Sequence, residues 1–379
     1  MRGRTCVRAA FTLATAALCV AAAVMPAQAA TKAGWRLYQV YGTGANNIDA
    51  AQSNGLVATS RDNAWSIFGG CNWPCTGSSN LDFLGHWNGS RWSPVPASQI
   101  DGIDPAMITA SSSKSAWLFG YFPNQTHYGA VYWNGTSWTE RAVPSWAFVI
   151  NGSGELAASF ADFGPRNLWI FSEGGYIGQK SAYAARYLNG RWTKSDLPDA
   201  IEGVAALSST DIWVAGRAFS NEGPTVFLHW DGRKWSKAAL RTGLRGTPVS
   251  LFTPGQHQLW LEWAPANTKA APFLLRKTRT GWSKVSFPRS YSGYLPVSDG
   301  ANGLWLTGFA PGKKRVQVFL HWHAGHWTIS RVPNGKYQPG NVDQLALIPG
   351  TKSVWATGNV YGPGDGTTLN RGTIWRYNP

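Results

Sequence analysis

The strings Ser209-Thr-Asp-Ile-Trp-Val-Ala-Gly216 and His229-Trp-Asp-Gly-Arg-Lys-Trp235 decide the fold. The first is a short apolar run with a central Trp, entered from a Ser/Thr/Asp turn signal, and it reads as a strand. The second sets two Trp around Asp231-Gly232. Asn-Gly or Asp-Gly between apolar runs is the strongest short-range hairpin signal, because both central residues of a two-residue hairpin turn take positive φ. With their flanks, the two strings predict four strands at 203–207, 211–216, 226–230 and 234–240.

Working outward, a Trp preceded by an aliphatic residue or Ala recurs at Trp65, Trp117, Trp169, Trp213, Trp260, Trp305 and Trp355, at intervals of 52, 52, 44, 47, 45 and 50 residues. The turn string follows each in some form, as Trp87-Asn-Gly-Ser-Arg-Trp92, Trp133-Asn-Gly-Thr-Ser-Trp138, Tyr187-Leu-Asn-Gly-Arg-Trp192 and Trp322-His-Ala-Gly-His-Trp327; the fifth repeat keeps Gly281-Trp282. Four short antiparallel strands repeated at this period are the unit of a β-propeller blade. The ends fit a ring. The seventh repeat stops after Trp375-Arg-Tyr-Asn-Pro379, without a fourth strand, whereas Gly34-Trp-Arg-Leu-Tyr38 has the pattern of a fourth strand with no repeat of its own. Pairing the two would close the ring and remove the exposed edges of a linear array. The expectation is an all-β, seven-bladed propeller over 30–379.

The pattern resembles secreted, actinobacterial-type proteins whose repeats carry Asp-Val-Trp-Ala-Val-Gly and Trp-Asp-Gly-Thr-Ser-Trp, and Ser209–Gly216 with His229–Trp235 is the nearest copy. More distantly it is similar to kelch and galactose-oxidase-type propellers. The resemblance covers the mature chain and implies a fold and an extracellular location more than an activity.

Arg2, Arg4 and Arg8, the apolar stretch 9–24 and Ala27-Gln28-Ala29 read as a secretory signal cleaved after Ala29. The apolar run is too short for a membrane span. The formal charge of +15 becomes +12 once those three arginines leave. Such a field favours acidic envelope polymers, and solubility alone would also account for it. No nucleic-acid fold is apparent. The mature cysteines, Cys71 and Cys75, sit in Cys-Asn-Trp-Pro-Cys, which in an exported chain reads as a disulfide.

Of the 22 Trp, nineteen recur with the repeat: seven in second strands, five in third strands (Trp87, Trp133, Trp230, Trp322 and Trp375) and seven opening fourth strands. Packing between blades is their default role. Trp73, Trp146 and Trp263 do not recur. Antiparallel topology puts all three, with Tyr121 and Tyr128, on the face of the loops after second strands and of the blade connections. These five are the candidate ligand-binding residues, since variable loops on a rigid scaffold carry function.

Catalytic signals are weak. His321, His323 and His326 form the best metal candidate, but His86 and His229 share the slot of His321, so a repeated packing role is expected and no metal is assigned. Asp101 and Asp104, in Asp-Gly-Ile-Asp-Pro, read as a turn before a calcium site. The Asn-x-Thr match at Asn134 coincides with a hairpin turn. No Gly-x-Ser-x-Gly nucleophile or free Cys for a cross-linked tyrosine is present, and no cofactor is implied. The expected function is a non-catalytic extracellular binding module, monomeric, for envelope polysaccharide or extracellular protein. The alternative is a carbohydrate-active enzyme of glycoside hydrolase or lyase type with carboxylates near the central channel.

Overall fold

The computed structural model describes residues 33–41, 48–72, 83–147, 158–172, 182–197, 200–217, 225–238, 244–255, 258–267, 270–288, 291–312, 316–363 and 368–379. The 1–29 leader, Trp73 and the Cys71–Cys75 bridge, through Cys75, lie outside the described residues. Strands form seven four-stranded antiparallel sheets. Six are contiguous in sequence, at 48–94, 104–141, 158–196, 200–238, 246–286 and 292–331, and are blades 1 to 6. In blade 7, Gln338–Leu347, Val354–Pro363 and Thr368–Asn378 are completed by Gly34–Val40, with Trp35 in register with Tyr377 and Arg36 with Arg376. Successive first strands neighbour one another, and Ile48–Ser60 of blade 1 lies against Gln338–Leu347 of blade 7. The protein is a closed seven-bladed β-propeller.

Both faces of a blade are covered by neighbouring blades, so inner strands need apolar residues on both sides. Ser115–Phe122, the second strand of blade 2, is buried over almost its whole length. Among the described residues the core divides into seven clusters, one for each blade boundary. Each is built around a second-strand Trp facing the next blade. Trp65 meets Trp133 and Trp138 at 5.6 and 5.2 Å, Trp169 meets Trp230 and Trp235 at 5.2 and 5.9 Å, and Trp355 of blade 7 meets Trp87 and Trp92 of blade 1 at 5.2 and 5.4 Å. These contacts are edge-to-face, the arrangement aromatic quadrupoles favour.

The opposing third-strand residue, in register with that Trp, is His86, Tyr132, Arg186, His229, Arg276, His321 or Arg376. Each imidazole stacks on its Trp, at 3.8, 4.3 and 4.1 Å in blades 1, 4 and 6. Arg186 and Arg376 place their guanidinium carbons 4.8 and 4.9 Å from the Trp169 and Trp355 rings, and Arg276 lies at 5.8 Å from Trp260. This is cation–π geometry at a largely desolvated ring. The position carries a planar or cationic partner for the Trp in every blade.

Two sequence expectations need correction. Trp375 is not equivalent to Trp87: it pairs with Ala356, two residues from the repeat position, which Tyr377 occupies opposite Val354. The third-to-fourth-strand turns also differ in kind. Both central residues have positive φ in blades 3 and 6 (Asn189-Gly190 and Ala324-Gly325). In blades 1, 2 and 4 positive φ belongs to Gly89, Gly135 and Gly232 alone. There the side chains of Asn88, Asn134 and Asp231 accept the next N–H groups of their own turn at 2.8–3.1 Å. The local Asx bond stabilises a longer loop in place of the two-residue turn.

Trp35 locks the closing strand. Its ring stacks on Phe319 at 3.7 Å and meets Trp305 edge-on at 5.3 Å, both in blade 6. Trp35→Ala should therefore lower unfolding free energy by about 3–5 kcal/mol, whereas the exposed Trp146→Ala should stay within about 0.5 kcal/mol of the parent; urea unfolding midpoints compare the two.

Candidate functional site

Blade topology gives the molecule two unlike ends. Loops after second strands and blade-to-blade connections emerge at one end; the turns after first and third strands emerge at the other. Of the five candidate ligand-binding residues, four are described. Trp146 lies in the short 3-10 turn Ser145–Ala147 between blades 2 and 3 and is 38% exposed, and its carbonyl oxygen accepts a hydrogen bond from the Tyr183 hydroxyl of blade 3. Tyr121 and Tyr128 face each other across the second and third strands of blade 2, with ring centroids 5.2 Å apart. Tyr128 packs on the same cluster that contains Ala147 and Tyr183. Three of the candidates thus gather at one end of the blade 2–blade 3 boundary.

Trp263 is elsewhere. The second strand of blade 5 continues to Pro265, and Trp263 is 3% exposed, packed with Phe273 and Leu261. A Cβ on Gly246 would lie 2.6 Å from its indole nitrogen, so that glycine makes room for it. Trp263 plugs blade 5 and presents no face to a ligand.

The same boundary carries a groove of about 440 Å³, lined by Trp117, Arg141, Val143, Pro144, Tyr187 and Trp192. It opens where Tyr187 stands in the position that Trp87, Trp133, Trp230 and Trp322 fill in other blades. The smaller ring leaves space beside Trp117. Arg141 and, in the adjoining depression, Arg166 give it a positive rim. A groove of this size, mostly apolar with a few polar groups at its edge, is suited to a small ligand or a ligand segment.

The carboxylates with the largest perturbations lie in separate blades. Asp162, the last residue of the first strand of blade 3, is pushed up to about 6 by burial, opposed by hydrogen bonds from the Gly164 amide and Ser111. Glu262, in the second strand of blade 5, is 8% exposed, and burial pushes it up to about 7. Glu262 takes the position that holds Ile67, Phe119, Phe171, Ala215, Thr307 and Thr357 in the other blades, two residues beyond the Trp. The Asp101 and Asp104 pair forms a turn: Asp101 has φ 53° and accepts the Glu140 N–H at 3.2 Å, and Asp104 begins the next strand.

Asp299 is the member of the best-formed polar cluster that sequence reasoning missed. It follows the first strand of blade 6, Ser292–Ser298, and is 4% exposed. One carboxylate oxygen accepts the N–H groups of Ala301 and Gly303, each at 2.7 Å; the other faces His321 Nε2 at 3.0 Å and His323 Nδ1 at 2.7 Å. Burial opposes its ionisation, but the bonds from His321, the two amides and His323 outweigh that and hold the carboxyl well below the usual range. His326, across the turn from His323, is not in this group. The signal for Asp299 was indirect: Asn63 and Asp211, each two residues before a second-strand Trp, contact His86 and His229 at 2.9 Å. A polar partner for His321 was therefore to be sought at the same turn.

No protein-family model matches the chain, and no curated protein matches it. Solved structures do. YCF48 bound to D1 peptide aligns with a TM-score of 0.54 at 14% identity, over 91% of this chain and 97% of its own. The β-propeller domain of the Trilobed protease from Pyrococcus furiosus gives 0.55 at 10% identity, over 86% and 94%. An Aleuria aurantia lectin in complex with Fucα1-6GlcNAc gives 0.43 at 13% identity, over 77% and 98%. The first two establish a shared β-propeller fold and nothing narrower.

Glu262 makes a measurable prediction. Its folded pKa of about 7 lies above the ordinary value of 4.5, so the folded state holds a proton the unfolded state has released between those values. The contribution of Glu262 to stability is then greatest below pH 4.5 and declines until about pH 7. Glu262→Gln should be nearly neutral at pH 4 and stabilising by about 2–3 kcal/mol at pH 8, read from urea unfolding at the two pH values. Equal effects at both would contradict the assignment.

Proposed function

We propose that the protein is an exported, non-catalytic binding module that engages an envelope glycan or extracellular protein at the boundary of blades 2 and 3. One observation carries this reading: of the twenty-one tryptophans among the described residues, Trp146 alone is exposed. The others are buried or half-buried, and the aromatic surface this fold consumes in packing makes one indole left in solvent conspicuous. Its backbone is pinned by Tyr183, so the ring is offered from a fixed point. Tyr121 and Tyr128 on the same end add aromatic surface, and an indole face suits both stacking on a sugar ring and packing of an apolar side chain.

Charge favours an acidic glycan within this class. The chain carries +15 formally, and Arg141 and Arg166 line a depression on the same blade boundary, toward the tight-turn end. A positive field of this kind raises the local concentration of polyanions and the rate of encounter with them. The reading needs no reacting group.

The test is a screen of the mature chain against acidic and neutral envelope polysaccharides and secreted proteins, followed by Trp146→Ala and Tyr187→Trp. The second variant fills the groove with the residue that other blades carry. Trp146→Ala should weaken the ligand found by about tenfold or more, with unchanged unfolding midpoint, and Tyr187→Trp should weaken a ligand that also enters the groove. Full binding by both variants would rule out this boundary as the site.

A further inference from the structure

We propose that Asp299, His321 and His323 bind a single divalent transition-metal ion, with Zn²⁺ the ion that best matches their donors. Their ligand atoms all lie within 4.8 Å of one another, and among the described residues no other three His, Cys, Asp or Glu side chains are so placed. Two imidazole nitrogens and one carboxylate oxygen are a ligand set that Zn²⁺ accepts readily, with the fourth position left to water or another donor.

Blade 6 reaches this arrangement by two departures from its own repeat. In blades 1 and 4 the partner of the third-strand histidine is Asn63 or Asp211, two residues before the second-strand Trp. In blade 6 that position is Gly303, and a Cβ there would lie 2.2 Å from Asp299 Oδ2. The glycine vacates the space, and the carboxylate enters it from the preceding turn. The second departure is His323. Its equivalents Asn88, Asn134 and Asp231 spend their side chains on their own turns. The blade 6 turn needs no such bond, because Ala324 and Gly325 both take positive φ (49° and 85°). His323 is thereby free to direct Nδ1 at Asp299.

Either departure alone would leave an ordinary histidine–carboxylate contact. Together they aim two imidazoles at one oxygen, while the amides of Ala301 and Gly303 fix the other. The site is oriented from behind as metal sites are: His321 is held by stacking on Trp305 at an interplanar angle of 6°, and Asp299 by its two amides. Donors on a tetrahedral Zn²⁺ stand about 3.3 Å apart. The present 3.0 and 2.7 Å separations from Oδ2 must open slightly, and the two imidazole nitrogens, within 4.8 Å of each other, must close around the ion; rotation of His323, with a 46% exposed side chain, can supply both movements. The same exposure gives the ion a path in from solvent.

The repeat also provides the variant that tests the idea. His323→Asn restores the residue of blades 1 and 2 at that position and keeps the turn. Metal-stripped protein titrated calorimetrically with ZnCl₂ should take up one ion per chain with micromolar affinity or tighter, and its melting temperature should rise with added Zn²⁺. His323→Asn should bind about 10- to 100-fold more weakly while melting as the parent does without metal; Asp299→Asn, if it folds, should bind no more tightly. No uptake by the parent at 100-fold molar excess, or unchanged affinity in His323→Asn, would overturn the proposal.

Discussion

Everything in this propeller depends on how the second-strand Trp is held. Each is paired across its own sheet with a His, Tyr or Arg, and six of the seven have been shown to meet aromatic rings of the next blade edge-on or tilted, as Trp260 does Trp322 at 5.2 Å and Trp117 does Tyr187 at 5.5 Å. A blade has no core of its own, because one antiparallel sheet cannot bury both of its faces. The Trp makes the boundary between blades into that core. It also explains why the third strand carries a planar or cationic group in an otherwise apolar run: the indole face attracts it, and its polar end reaches the turn at the tight-turn end of the blade.

That arrangement spaces the chemistry of the molecule. Polar groups are drawn to the tight-turn end, where Asn63, Asp211 and Asp299 meet His86, His229 and His321. Third-strand Trp add bonds there, with the indole N–H groups of Trp87 and Trp133 donating to Arg61 and Ser113 carbonyls at 2.8 and 2.9 Å. The opposite end carries no such periodic demand, so its sequence can vary with little penalty. An exposed Trp146 at that end and a three-donor cluster at the other are separate consequences of one scaffold.

The period, the blade count and the closing strand were legible because they depend on residue type at fixed spacing. Trp is too costly to expose seven times over, and the Asn-Gly and Asp-Gly strings mark the hairpins whichever turn they form. What escaped depends on register and on side-chain reach. Trp375 recurs in composition, yet a shift of two residues gives its place to Tyr377. Trp263 stands where other blades turn away, and only the continuation of its strand to Pro265 shows that it faces inward. Asp299 lies 22 residues from His321 and outside the position its counterparts use. Reading it would have required knowing that Gly303 had emptied that position.

Glu262 and Asp299 show what a break in the repeat means physically. Both are carboxylates less than a tenth exposed. Asp299 receives four hydrogen bonds and stays ionised, so its burial has been compensated by the two amides and the two histidines. Glu262 occupies a position that is Ile, Phe, Ala or Thr elsewhere, and burial raises it towards neutrality. An isolated buried charge is destabilising, and a side chain that cannot find partners gives up its charge instead. The distinction separates a departure that builds a site from one the fold merely tolerates. On that criterion blade 6, where Gly303, His323 and Asp299 depart from the repeat together, is where the departures support one another.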